Sequence, residues 1–417
     1  MYRRNCESEV RVALSDTRVV FIAGPRQCGK STLALSVADD DREYLSLDDP
    51  TVLDQARADP MAFASRASTR SLIIDEVQRL PELFPAIKRN VDTDQRPGRF
   101  LLTGSANYLA LPSISESLAG RIEVVQLGPL TQGEIEGVRE GFTEAVFDDP
   151  DPLLPASTLR RDDYIARAFA GGFPELLSRA GQARRTRWFA SYVASLIQRD
   201  LRDIANVEHA VAVPGLLRLI AARSGNLANV LEISRDVQLP NTTLKRYLSL
   251  LEVLYLLEPL RPWSANLSTR LTRSPKFYLN DPGLTSYLVD AVPNRVARYP
   301  ELAGQLLEAF AVSEVRRQLS WNDYRPSISF FRTQTGAEVD IILEGRDGRV
   351  VGIEVKAGAR LDRRDTRGLE FLREHLGPTF IRGIVLYTGE HVLPAGERIW
   401  AMPMDALWRW GARPNGG

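Results

Sequence analysis

The segment Gly24-Pro25-Arg26-Gln27-Cys28-Gly29-Lys30-Ser31-Thr32 constrains this chain more than any other stretch of it. It fits Gly-x-x-x-x-Gly-Lys-Ser, and it stands between the β-branched run Arg18-Val-Val-Phe-Ile-Ala23 and a helical run from Thr32 to Ala38. A strand, a glycine-bearing loop and a helix in that order can fold backbone N–H groups around a phosphate at a helix N-terminus, where the dipole favours negative charge. Lys30 then reaches the β and γ oxygens of a nucleotide, and the Ser31 hydroxyl is placed to ligate Mg²⁺. ATP and Mg²⁺ are the cofactors this implies, held by residues Gly24 through Thr32. Cys28 reads as a small spectator of the loop rather than as a redox-sensitive thiol.

Such a loop needs a sheet to carry it, and residues 18 to 127 have the rhythm of a parallel one. Short apolar runs, Arg18–Ala23, Tyr44–Leu47, Ser71–Ile74, Arg99–Leu102 and Glu123–Leu127, alternate with polar helical segments. The third run ends in adjacent carboxylates, Asp75 and Glu76, where a buried strand would ordinarily end in turn residues. In this setting Asp75 holds Mg²⁺ through its water shell and Glu76 polarises the attacking water. Thr103 and Ser105 follow the fourth run and either orient that water or cap the next turn. Arg121, just before the fifth run, is either an arginine finger offered to a neighbouring subunit or half of a surface salt bridge.

The 417 residues leave room for two or three domains. The acidic, proline-bearing stretch Phe147–Pro155 has the composition of a linker, so boundaries are expected near residues 150 and 300. They give an ATPase domain over 1–150, a helical and winged-helix region over 151–300 and a third domain over 301–417. The fold class is α/β. No apolar stretch could span a bilayer, and the N-terminus lacks the apolar run of a secretory signal, so the cytoplasm is the expected location and a membrane is not an expected partner. Two cysteines, Cys6 and Cys28, cannot make a disulfide framework or a zinc cluster. Net charge is zero, yet residues 156–275 hold 17 Lys and Arg against 10 Asp and Glu. A local basic face is compatible with that imbalance.

Within this basic middle, Leu227 to Leu254 reads as two helices separated by a break at Gln238–Asn241, the spacing of a helix-turn-helix. Tyr255–Leu260 and Lys276–Leu279 would add the hairpin of a winged helix. Asn241, Thr242, Lys245 and Arg246 then open the recognition helix, which in such modules meets DNA. Further on, Asp340 on one strand precedes Glu354-Val355-Lys356 on the next. An acid followed by Glu-x-Lys on the adjacent strand is the core pattern of PD-(D/E)XK nucleases. Period-2 alternation puts Glu354 and Lys356 on one face, so that Asp340 and Glu354 could share Mg²⁺ while Lys356 steadies phosphorane charge. Glu308 on the preceding helix fits the additional acid of that pattern, whereas Val339 stands where its proline usually does.

Taken in order, Gly24–Thr32, Leu47-Asp-Asp-Pro50, Ile73–Gln78, Leu102–Ser105, Leu118–Arg121, Gly171-Gly-Phe-Pro174 and Phe277–Leu284 resemble the bacterial and archaeal AAA+ ATPases that join an AAA domain to a C-terminal domain of unknown function. The resemblance spans nearly the whole chain. It implies a P-loop ATPase that works as a homo-oligomer, with DNA or a protein as the further partner. Three activities stay open: an ATPase coupled to a DNA-interacting region, an ATP-dependent DNA endonuclease, and an ATP-switched protein-binding module. The chain departs from the family at Asn280-Asp281-Pro282, and Asp281 has no role that the resemblance supplies.

Overall fold

The structure is a computed structural model that describes residues 2–38, 41–105, 118–149, 151–200, 212–264 and 274–414, with the side chains of residues 199 and 200 left aside. It divides into two compact units: residues 1–129 with 251–256, and residues 130–250 with 257–417.

The first unit is built on five strands, β1 (Val19–Ala23), β2 (Arg42–Ser46), β3 (Ser71–Asp75), β4 (Phe100–Gly104) and β5 (Ile122–Gln126). All five expected runs are strands, in the order β2-β3-β4-β1-β5, and every neighbouring pair is parallel. Every residue of the central strands β1 and β4 is buried, which is why they read as unbroken apolar runs. Helices Glu7–Asp16, Lys30–Ser36, Pro50–Ala58, Pro60–Ser65 and Leu83–Thr93 belong to this unit. The Leu47-Asp-Asp-Pro50 motif is a helix start: Asp49 accepts from the Thr51 N–H at 2.8 Å, and Pro50 occupies the first turn.

The second unit begins at Leu130, ahead of the acidic stretch where the first boundary was expected. Residues 142–148 form a helix whose Phe142, Ala145, Val146 and Phe147 are buried. Phe142 meets Trp410 edge-on at 5.9 Å, and Phe147 lies 4.7 Å from Tyr324. The apolar stripe at i, i+3 and i+4 places this helix in the core of the second unit, ahead of most of the acidic stretch. Within this unit one core cluster joins Tyr164 and Phe169 of the helix Arg161–Ala170, Tyr278, and Phe310 of the helix Pro300–Gln318.

After a two-residue strand β6 (Val138–Arg139), the middle of the chain contributes helices Gln182–Ser195, Val213–Ala222, Val230–Asp236 and Asn241–Val253, the last of which runs on into residues of the first unit. The hairpin β7 (Leu257–Leu260) and β8 (Lys276–Leu279) follows, antiparallel in the register Leu257↔Leu279. Asn241, Thr242, Lys245 and Arg246 are exposed at the start of their helix. The remaining strands are β9 (Ser327–Arg332), β10 (Glu338–Glu344), β11 (Val350–Val355), β12 (Phe380–Tyr387), β13 (Leu393–Gly396) and β14 (Ile399–Pro403), with β15 (Arg413–Pro414) paired to β6. The larger sheet runs β13-β14-β12-β11-β10-β9. Phe310, Val312 and Trp408 lie in the core on one of its faces; Leu369 and Leu372 of the helix Arg367–Leu376 lie in a second cluster on the other.

Asp281 acquires a structural role in this unit. It is fully buried, caps the helix Pro282–Leu288 by accepting from Leu284 N–H at 3.0 Å, and accepts from Gly172 N–H at 2.8 Å. A Cβ at Gly171, whose φ is +66°, would fall 2.3 Å from the Asp281 carboxylate. Two motifs about a hundred residues apart in sequence thus interlock, and the glycines serve close backbone approach.

Candidate functional site

Because β1, β3 and β4 are parallel neighbours, their C-terminal ends lie along one edge of the first sheet, and each delivers polar residues there. The loop after β1 is shaped by two close constraints. A Cβ at Gly24 would fall 2.0 Å from the Leu127 carbonyl oxygen, so only glycine passes. Gln27 (φ +62°) and Gly29 (φ +99°) adopt left-handed conformations that turn the chain into the helix Lys30–Ser36. Arg4 braces the loop by donating to the carbonyls of Cys28 at 2.7 Å and Gly128 at 2.8 Å. Cys28 is fully buried, with Sγ 3.2 Å from the Leu127 oxygen. Lys30 is buried, and its Nζ donates to the Pro25 oxygen at 2.9 Å.

Asp75, at the end of β3, gathers three hydroxyls. Ser31 Oγ donates to Oδ1 at 2.8 Å, Tyr44 OH donates to Oδ2 at 2.9 Å, and Thr103 Oγ1 also donates to Oδ1. Thr103 in turn accepts from the Glu76 N–H at 3.1 Å. Glu76 sits at φ +57°, an uncommon conformation for a non-glycine residue, and Gln78 Nε2 donates to its carboxylate and to Ser105 Oγ, the latter at 3.0 Å. Burial pushes the Glu76 carboxyl upward; Lys30 and Arg26 pull it down, and Asp75 pushes it up again. Burial, then the hydrogen bond to Asp75, pushes the Tyr44 hydroxyl up to about 12.

Lys30, Ser31, Asp75, Glu76, Thr103 and Ser105 are therefore brought to one edge. Arg4, Tyr44 and Gln78 join them without having been singled out as site residues. Gln78 lies inside the Ile73–Gln78 motif, which was the available signal. Tyr44 looked like an ordinary strand residue, and nothing local connects Arg4 to a loop so distant in sequence. Arg121 lies at the other end of the sheet, where its carbonyl accepts from Val19 N–H at 3.2 Å at the start of β1. Its guanidinium makes a two-point pair with Asp92, and it donates to the Ala119 oxygen at 2.9 Å.

The second unit holds another carboxylate centre. Asp340 and Glu354 flank the Ile341↔Ile353 pair of the antiparallel strands β10 and β11. Asp340 Oδ2 accepts from Val355 N–H at 2.9 Å, and Lys356 Nζ donates to Glu354 Oε1 at 2.8 Å, as their common face requires. Glu308 joins from the helix Pro300–Gln318. Burial, then repulsion from Asp340, pushes the Glu308 carboxyl up to about 7 and that of Glu354 up to about 8. Lys276 of β8 enters the same centre with its side chain 2% exposed. Its Nζ lies 3.0 Å from Glu308, 2.8 Å from Glu338 and 3.6 Å from Asp340. A lysine opening a short hairpin strand reads as an edge charge, so its sequence position did not mark it. Among the described residues, no three His, Cys, Asp or Glu side chains are grouped to hold a metal ion.

An AAA domain model matches residues 16–136, and models of two domains of unknown function match residues 161–295 (DUF8612) and 303–407 (DUF4143). The uncharacterized proteins Rv2008c of Mycobacterium tuberculosis and Mb2031c of Mycobacterium bovis are each 32% identical to this chain over 410 residues, 97% of it and 84% of their own length. A solved RuvB variant from Thermotoga maritima aligns with 61% of this chain and 88% of its own at 20% identity, with a TM-score of 0.28. No helix among the described residues is long and apolar enough to cross a membrane. With this order of domains and relatives matched over most of both chains, the chain belongs to the family of proteins that join an AAA ATPase-like domain to a C-terminal DUF4143 domain.

Proposed function

We infer that the chain is a Mg²⁺-dependent ATP hydrolase whose nucleotide state is coupled to a DNA-interacting region in its second unit. One observation carries the hydrolase reading: Lys30, Ser31, Asp75, Glu76 and Thr103 converge on a single edge of a parallel sheet, the last four linked by hydrogen bonds. The donor set fits the metal, since a serine hydroxyl and a carboxylate are hard oxygen ligands of the kind Mg²⁺ takes. Bound there, Mg²⁺ would neutralise charge on the phosphate oxygens. Backbone N–H groups of Gly24–Thr32 would cradle the phosphates, and Lys30 would exchange the Pro25 oxygen for a phosphate oxygen. Thr103 ties the Glu76 backbone to Asp75, and Gln78 orients the Glu76 carboxylate as the water-polarising base; its upward shift suits that task.

DNA is favoured as the further partner by the exposed Asn241, Thr242, Lys245 and Arg246, in a region with excess positive charge. A homo-oligomer is part of this reading. Within one chain the Arg121 contacts support the surface-salt-bridge role, and an arginine finger would first have to leave Asp92.

The test measures ATP binding and turnover by the wild type and by Glu76→Gln, each with and without single- and double-stranded DNA. Glu76→Gln should bind ATP normally and lose roughly 10²-fold or more in turnover, the usual scale for a lost general base. Wild-type turnover by Glu76→Gln would remove the assigned role. An ATPase rate indifferent to DNA, with no DNA bound, would favour the protein-binding switch. Metal-dependent cutting of plasmid that disappears with Asp340→Ala would favour the endonuclease.

A further inference from the structure

The carboxylate centre of the second unit already contains a cation. Lys276 and Tyr278 are two residues apart on β8, so they share a face and both reach Glu308: the ammonium at 3.0 Å, and the phenol by donating to Oε1 at 2.6 Å. The same ammonium touches Glu338 and Asp340, and it lies 5.4 Å from the Phe330 ring centroid. Glu338 is shared with Arg332 at 3.4 Å. Gly225, at φ +78°, approaches so closely that a Cβ there would sit 3.0 Å from the Glu308 oxygens.

We propose that Lys276 is the resident cation of this nuclease-like centre, held by Glu308 and Asp340, two of the three acids of the nuclease pattern, and that the chain as it stands takes up no divalent cation there. A divalent ion of the Mg²⁺ type needs carboxylate oxygens at about 2.0–2.1 Å in octahedral array. The ammonium sits against the Glu308 and Asp340 oxygens that would supply them, and a second cation beside it in a buried setting is repelled. One acceptor remains uncommitted: Glu354 Oε2 is buried without a hydrogen-bond partner among the described residues. Removing the ammonium would leave Glu308 and Asp340 without the cation they share, a charge deficit that a divalent ion could fill.

The inference is independent of ATP hydrolysis, and its test uses the full chain with Ser31→Ala and Asp75→Asn, so that the nucleotide site adds no metal of its own. Mn²⁺ alone is titrated by electron paramagnetic resonance, with and without Asp340→Asn. With Lys276 intact, Asp340→Asn should change nothing, because no Mn²⁺ depends on Asp340. Lys276→Met should add one Mn²⁺ site, at least about tenfold tighter than any background binding, that Asp340→Asn abolishes. An Asp340-dependent site in the chain that keeps Lys276 would overturn the proposal. So would a folded Lys276→Met chain without a new site. If Lys276→Met does not fold, Lys276→Gln serves in its place, and the titration of the chain with Lys276 intact still decides whether the lysine and a metal exclude one another.

Discussion

The two carboxylate centres of this protein solve the same electrostatic problem in different ways. Asp75 in the first unit is surrounded by hydroxyls from Ser31, Tyr44 and Thr103, and the nearby ammonium of Lys30 is turned onto its own loop. Glu308 and Asp340 in the second unit face a buried ammonium directly, and Glu354 has Lys356. Hydroxyls satisfy a carboxylate without cancelling its charge, so it can still attract a metal ion. Ammonium groups cancel the charge and occupy the space. The chemistry available to a cluster of acids thus depends less on the acids than on what neutralises them.

The largest effect expected to separate the centres is on nucleotide binding. Lys30→Ala should weaken ATP binding roughly ten- to a hundredfold, the scale of a lost charge-assisted contact, whereas Asp340→Ala should leave it unchanged. Calorimetric titration of both variants reads this directly. Equal losses would mean that the two centres are not separate.

A second test uses pH. Burial and Asp340 raise the Glu354 carboxyl from 4.5 to about 8, so its protonated form is the one the fold prefers. The stability that this raised group contributes is fully present below pH 4.5 and is lost as pH rises through about 8. Glu354→Gln, which mimics the protonated form, should match the wild type below pH 4.5 and exceed it by roughly 1–3 kcal/mol near pH 8.5. Thermal melting across that range measures the difference. A variant less stable than the wild type at the high end would show that the Lys356 pair outweighs the burial.

The smallest effect is expected at Tyr44. Its hydroxyl holds one oxygen of Asp75, so Tyr44→Phe should reduce Mg²⁺-dependent ATP affinity only a few-fold, about 0.5–1.5 kcal/mol. A loss as large as that of Asp75→Ala would instead make the phenol an essential part of the metal site.

Local pattern by itself determined much of this protein. The five strands of the first sheet, the loop Gly24–Thr32, the pair Asp75-Glu76 and the shared face of Glu354 and Lys356 follow from periodicity and motif, because each depends on residues close together in sequence. Tertiary structure decided the rest. The apolar stripe of 142–147 found its partners in Tyr324 and Trp410, so the second unit starts earlier than the acidic stretch suggested. Arg4 braces a loop through Gly128, Asp281 locks onto Gly172, and Lys276 reaches Glu308. Each is a polar group whose burial is tolerable only against a partner distant along the chain, and spacing in sequence carries no record of which partner that is.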